Sequence, residues 1–433
     1  MASLTACPKT HRSVVVLALA CAFPWALVHL PQPLQADATD QGVIAYVQLS
    51  THDIHLVSPD GTGDRVLWTA PRAFFVDPPY ELAWRPDGRE LAFTSDHEAW
   101  ASWYESDVYA VGSDGTGYRR ITNAPAAAEL AKLPKGSVTV SVSNWTADRV
   151  QVYVAGAPEL RSVAGDGEMT FDDVADLGPE VPQPAIGIFG MYRIMSSPPL
   201  ADVQPNGTVS GGNLIIAQYS GIRFFGAGKV SWKADGSALA YAMRTCSGIS
   251  QIPALPKYGS IGRDLPVVAN TSPGLVAWGP TPDTNDRYLY RSGYDILDEE
   301  RGGIYLNTVG DASGGTKLVP TYRAELVRDI EWLPDASGFL FTQMYVPLDI
   351  VTDVFEYSFA TEQVKQLTDL KDDSARGLSI SPDGRQVAFE REGADATSSL
   401  WIMNRDGSGL RKLADDAGRP AWGRVPAART PGG

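Results

Sequence analysis

The residues able to do chemistry fall into two groups. Aromatic and acidic side chains gather in three of the longer connections: His97, Trp100, Trp103 and Tyr104 in one, Tyr294, Asp295, Asp298, Glu299 and Glu300 in the next, and Tyr345 with Asp349 in the last. Aromatic rings give a large contact area at small entropic cost, and carboxylates select basic or metal-bearing partners, so the combination is that of a recognition surface. A plainer reading stands beside it, in which Trp100 and Trp103 pack against neighbouring chain and Asp298-Glu299-Glu300 is a solvated loop. The second group is one residue, Glu331, which directly precedes Trp332 in an apolar strand. A carboxylate in such a place needs a partner or a shifted pKa. Glu331 is therefore the candidate polar group for the centre of the fold.

Signatures of hydrolysis, phosphate handling and metal binding are missing from the sequence. It contains no G-x-S-x-G, no H-E-x-x-H, no G-x-x-x-x-G-K-[ST] and no D-x-[DN]-x-[DN]-G. His52 and His55 are three apart on one strand, which puts their side chains on opposite faces and rules out a strand-borne metal pair. Asp60-Gly61-Thr62-Gly63 and Asp114-Gly115-Thr116-Gly117 look like ion loops, but they sit where a tight turn is needed. No cofactor is expected; a structural cation is the one addition the acidic loops would admit.

The elements that position these residues are repeats. Leu82-Ala83-Trp84-Arg85-Pro86-Asp87-Gly88 leads into Leu91-Ala92-Phe93, and the same pattern returns around Trp232, Trp278, Trp332, Ile380 and Trp422. A second signature follows the first pair of strands: Asp107-Val108-Tyr109-Ala110-Val111, then Asp114-Gly115, then Tyr118 to Thr122. Alternating apolar residues mark strands, and Pro-Asp-Gly and Asp-Gly mark turns, since Pro presets one turn angle and Gly accepts positive φ. Four strands in a repeat of roughly 40 to 55 residues make a propeller blade. The chain ends on a first strand at Trp422 and begins on a second strand at Val43-Ile44-Ala45-Tyr46. Pairing of those two would close the ring and leave no open edge across the seam. The expected fold is all-β, a six-bladed β-propeller closed by its N- and C-terminal strands.

The residue before each Trp-type position is Ala83, Ser231, Ala277, Glu331, Ser379 or Ala421. Five of the six are small, as expected if a large residue of one blade seats on a small one of its neighbour. The tryptophans thus read as packing residues, with Glu331 the exception.

Residues 1–38 have the order of a signal peptide: Lys9, His11 and Arg12, an apolar run from Val14 to Ala22, then Ala36-Asp37-Ala38. An uncleaved anchor or a lipid on Cys21 are the lesser readings. Cys246 is then the one cysteine of the exported chain, so no internal disulfide forms, which suits a bacterial envelope. A net charge of −15 excludes nucleic acid and anionic lipid as partners. A monomer, periplasmic or secreted, without a membrane span is expected.

Blades 1 and 2 occupy 42–123 and blades 3 to 6 with the closing strand 228–424, followed by a tail at 425–433. Between them, 136–222 alternate as strands without a copy of the repeat and read as a small β-sandwich inserted between blades 2 and 3. Gly165-Asp166-Gly167 ahead of Met169 to Val174 resembles the turn and strand of exported immunoglobulin-like or carboxypeptidase-regulatory modules. A degenerate seventh blade beginning at Asn144-Trp145-Thr146 is the alternative.

Trp84 to Phe93 together with Asp107 to Thr122 resemble the propeller repeats of the TolB family and the WD-repeat-like repeats related to them. That resemblance implies blade type. The α/β domain that precedes the propeller in that family has no counterpart expected ahead of Val43. The function to be expected is an exported, non-enzymatic scaffold that binds a protein, peptide or envelope component on the face with the long second-to-third-strand loops and the insertion. The alternative is an enzyme or a small-molecule or cation binder using the central funnel, with Glu331 as its polar group.

Overall fold

The computed structural model describes residues 42–70, 79–97, 106–122, 131–145, 149–154, 156–157, 161–176, 186–189, 192–196, 207–218, 227–243, 249–254, 263–267, 274–292, 302–321, 327–344 and 351–424. Six four-stranded antiparallel sheets are the blades. Their inner strands are Ala417–Gly423 in blade 1, Leu82–Trp84 in blade 2, Ala227–Trp232 in blade 3, Val276–Trp278 in blade 4, Val327–Trp332 in blade 5 and Ser374–Ile380 in blade 6. Blade 1 is shared by the two ends of the chain. Ala417–Gly423 pairs antiparallel with Val43–Gln48, with Ile44 opposite Trp422 and Ala45 opposite Ala421. The permuted phase of the repeat therefore does close the ring. Turn chemistry also holds: the Thr62 and Thr116 amides each donate to the aspartate two residues earlier, at 2.9 Å, and Gly61 and Gly115 have φ of 88° and 83°.

The core lies in the seams between blades rather than in one central mass. Separate buried clusters join blades 1 and 2, 2 and 3, 3 and 4, 4 and 5, 5 and 6, and 6 and 1. The large-on-small rule is visible atom by atom. The indole Nε1 of Trp84 donates to the Ala421 carbonyl at 3.1 Å, that of Trp232 to Ala83 at 3.1 Å and that of Trp332 to Ala277 at 2.8 Å. Each tryptophan thus reaches the small residue of the preceding blade, buries its ring and satisfies its N–H. Where the small residue is Ser231 or Ser379, its hydroxyl accepts from the backbone amide of Trp278 or Trp422 at 2.8 Å. One seam departs from the rule on both sides at once: blade 5 has Glu331 at the small position, and blade 6 has Ile380 where the others have Trp. With no indole to seat, that seam leaves Glu331 available for other contacts.

The described residues between 135 and 218 form two further sheets. One has Lys135–Asn144 between Gly167–Ala175 and Thr208–Gln218, with Tyr192–Ser196 outermost; the other has Val150–Val154 between Arg161–Val163 and Ile186–Phe189. Val138, Val140, Val142, Val152, Val154, Phe171 and Val174 share one core between them. Thr208–Gln218 runs parallel to Lys135–Asn144, a pairing that an up-and-down meander cannot make. No helix among the described residues is long and apolar enough to cross a membrane.

Candidate functional site

The residue three before each Trp-type position is Glu81, Lys229, Leu275, Asp329, Gly377 and Arg419 in blades 2, 3, 4, 5, 6 and 1. They occupy one level of the inner strands, toward the end where each strand enters from the preceding blade. Pairing in blades 3, 5 and 6 slips by a bulge at this level, between Ala227 and Val230, Val327 and Asp329, and Arg376 and Leu378. A bulge bends the strand and re-aims its side chains. Gly377 and Arg419 take left-handed φ of 52° and 54°. For Arg419 that conformation is uncommon and must be held by its contacts.

A belt of polar contacts results. The Lys229 ammonium of blade 3 lies 2.7 Å from Asp329 and 3.9 Å from Glu331, both of blade 5, and 3.7 Å from Glu81 of blade 2. It thus bridges past blade 4, whose residue at this level is the apolar Leu275. Asp329 also accepts from the amides of Ile330, at 2.8 Å, and of Leu378 in blade 6. Glu390 of blade 6 accepts from the Arg419 amide of blade 1 at 3.2 Å, and the Arg419 guanidinium donates to the Tyr80 carbonyl at the entry to blade 2 at 2.7 Å. Arg291 of blade 4 donates to the Val327 carbonyl of blade 5 at 2.9 Å.

Burial and charge act against each other here. The side chains of Lys229 and Asp329 are 7% and 3% exposed, those of Glu81 and Glu331 28% and 33%. Burial pushes the Glu331 carboxyl up to about 7; the Lys229 ammonium draws it back, while Asp329 and then Glu81 raise it further. Glu81 moves in the same direction, again chiefly through burial. For Lys229 burial opposes the charge, but the attraction of Asp329 first, then Glu81 and Glu331, outweighs it and holds the ammonium above the ordinary lysine range. The carboxylates converge on an ammonium, and among the described residues no group of three or more His, Cys, Asp or Glu side chains is arranged to hold a metal ion.

Glu331 lies in the belt with its carboxylate 3.9 Å from the Lys229 ammonium. The other belt residues carry no local motif; their shared place three before the Trp-type position is the signal that finds them. His97 differs from expectation: it is 3% exposed and is not presented at a rim. Its Nδ1 lies 2.9 Å from the Ser95 hydroxyl and its Nε2 2.6 Å from the Tyr118 hydroxyl, with the Tyr109 ring 4.3 Å and the Trp68 ring 5.1 Å away. The reason is position: two residues past the end of a buried strand, the imidazole is drawn into the aromatic seam between blades 1 and 2. Trp100, Trp103, Tyr104, Tyr294, Asp295, Asp298, Glu299, Glu300, Tyr345 and Asp349 lie outside the described residues.

Burial, and secondarily the Arg120 guanidinium, pull the His97 pKa down to about 3 from the ordinary 6.5. The unfolded chain therefore binds this proton before the folded one does, and stability is lost as pH falls from about 6.5 toward 3. The urea midpoint of His97→Gln is expected to lie below wild type at pH 7.5 and to approach it at pH 4.5. A constant gap across that range would mean that the imidazole does not titrate in this way.

No family model matches the chain. Over 115 residues it is 40% identical to the Tol-Pal system protein TolB of Anaeromyxobacter dehalogenans strain 2CP-C, a stretch that covers 26% of this chain and 25% of that protein. The Tol-Pal system protein TolB of Anaeromyxobacter sp. strain K matches with the same identity and coverage. The chain thus spans about a quarter of the length of the curated relatives it matches. Among solved structures, TolB from Acinetobacter baumannii aligns with a TM-score of 0.47 at 16% identity, covering 89% of this chain and 67% of that one. A nidogen/laminin complex aligns with a TM-score of 0.46 at 9% identity, covering 89% of this chain and 98% of that one.

Proposed function

We propose that this chain, whose blades form a TolB-like β-propeller, is an exported, non-enzymatic scaffold that binds a protein, peptide or other component of the cell envelope. The binding face is the one carrying the second-to-third-strand connections and the insertion. One observation carries this reading: the repeat is interrupted by a two-sheet unit that leaves and rejoins the ring at a fourth-to-first-strand connection, between Arg119–Arg120 and Ala227–Trp232. In an up-and-down blade those connections and the second-to-third loops emerge on the same side, so one face of the ring is elaborated. A rigid ring with elaborated loops on one face is the usual way a scaffold presents binding residues. The insertion would act as an immunoglobulin-like or regulatory-type recognition module, and export through residues 1–38 would place the chain in the periplasm. The similarity to Tol-Pal system proteins agrees with an envelope setting.

The binding residues on this reading are Trp100, Trp103 and Tyr104 on blade 2, with Tyr294, Asp295, Asp298 and Glu299 on blade 4 and Tyr345 on blade 5. The alternative, catalysis or small-ligand binding at the centre, is weaker because Glu331, Glu81 and Asp329 already face the Lys229 ammonium. Capture from an envelope extract tests the proposal. The exported chain is expected to retain a specific partner that Trp100→Ala/Trp103→Ala loses while its Tm stays within about 2 °C of wild type. An unchanged partner set would sink this face as the binding surface.

A further inference from the structure

Apolar seams join each blade to its immediate neighbours, and the contact through Lys229 does something different. Its ammonium gathers carboxylates from blades 2 and 5 while its backbone belongs to blade 3, so one side chain ties three inner strands and skips blade 4. The charges do not balance: three carboxylates face one ammonium. At 2.7 Å Asp329 is hydrogen-bonded to it, whereas Glu81 and Glu331, at 3.7 and 3.9 Å, share the remaining attraction and repel Asp329 and each other. Among the described residues, the charged surroundings also include the Arg419 guanidinium and the Glu390 carboxylate, both felt by Glu81, and the Arg291 guanidinium of blade 4 on the Val327 carbonyl. Counting Glu81, Asp329, Glu331 and Glu390 against Lys229, Arg291 and Arg419, the fully ionised belt carries one surplus negative charge.

We propose that Lys229, Asp329, Glu81 and Glu331 form a proton-operated clasp across the centre of the ring, tight when Glu331 or Glu81 carries a proton and loosened when both are ionised. Like charges at such separations disfavour joint ionisation, and one bound proton removes one repulsive partner without disturbing the Lys229–Asp329 pair. The departure from the large-on-small rule supplies the room. Because blade 6 offers Ile380 rather than an indole beside Glu331, this carboxylate can lie in the belt, where the other blades have Ala or Ser. The apolar Leu275 on the skipped blade offers no competing partner.

The sign follows from the upward displacement of the Glu331 carboxyl from the ordinary 4.5 to about 7. The clasp's contribution is fully present below about 4.5 and is lost as pH rises through about 7. Many other carboxylates titrate in the same range, so the informative quantity is the difference between wild type and Glu331→Gln, in which distant groups cancel. Glu331→Gln is expected to match wild type within about 1 °C in Tm at pH 5 and to exceed it by about 3 °C at pH 8, a size set by the usual few degrees per kcal/mol.

Hydrogen exchange gives a second readout that a merely structural glutamate would not move. In wild type, protection of the inner-strand peptides 327–332 and 374–380 is expected to fall several-fold between pH 6 and 8 after correction for intrinsic rates. Peptides of the outer strand Gln363–Gln366 should not follow. Glu331→Gln should reduce that fall, and Glu81→Gln serves as the second variant. A Tm difference between Glu331→Gln and wild type that is the same at pH 5 and pH 8, or inner-strand protection independent of pH in wild type, would overturn the clasp.

Discussion

Ending the chain at Asp416 is expected to abolish the cooperative unfolding transition and to produce species that self-associate. The cut removes the inner strand of blade 1, Ala417–Gly423, and with it the pairing to Val43–Gln48. It also removes the Ala421 carbonyl that accepts from the Trp84 indole and the Trp422 ring buried with Ile44, Tyr46 and Leu400. Two seams are opened by one deletion. Val43–Gln48 becomes an unpaired edge whose Ile44, Ala45, Tyr46 and Val47 are buried in the closed ring, and such an edge recruits other chains. Size-exclusion chromatography and near-UV circular dichroism read the outcome. A chain ended at Arg424 is the control and should unfold as wild type does. If the Asp416 truncation remained monomeric with a sharp transition, ring closure by the terminal strands would not be what holds the propeller together.

The second large effect is expected from Lys229→Met, which should lower stability by about 3–5 kcal/mol, the range for removing one partner of a buried pair. The loss arises from what remains: Asp329, 3% exposed, keeps its two backbone donors but loses its counter-charge, with Glu331 and Glu81 still nearby. Methionine keeps most of the apolar stem, so lost packing contributes little. The double variant Lys229→Met/Asp329→Asn should recover most of the loss, because the uncompensated charge goes with the carboxylate. Urea unfolding of the four proteins of this cycle measures the coupling directly. A single-variant loss below about 1 kcal/mol would show that solvent already screens the pair as it does surface pairs.

Much of the fold was legible in the residues because its determinants are local. Period-two alternation specifies strands, Asp-Gly and Pro-Asp-Gly specify the turns, and the offset between Trp422 and Val43 specifies that one blade is shared. The small residue before Trp84, Trp232, Trp278 and Trp422 foretold which face would receive a neighbour's indole. The candidate site was legible only at Glu331, where a charge broke a pattern of small residues. Lys229 and Asp329, both buried, broke no pattern, because each occupies a position that the repeat leaves variable. His97 illustrates the opposite limit: lying just past a strand, it read as a loop residue, and only the Trp68, Tyr109 and Tyr118 rings around it explain its burial.

What the sequence determined by itself is thus the blade, the number of blades and their closure, since each rests on residues within a few positions of one another or on the register of a repeat. What the tertiary structure alone decided is which residues meet at the centre. Glu81, Lys229 and Asp329 lie at least 100 positions apart along the chain, and no local pattern couples their charges. Ring closure brings equivalent positions of every inner strand to one level, and desolvation there makes the balance of one ammonium against three carboxylates matter.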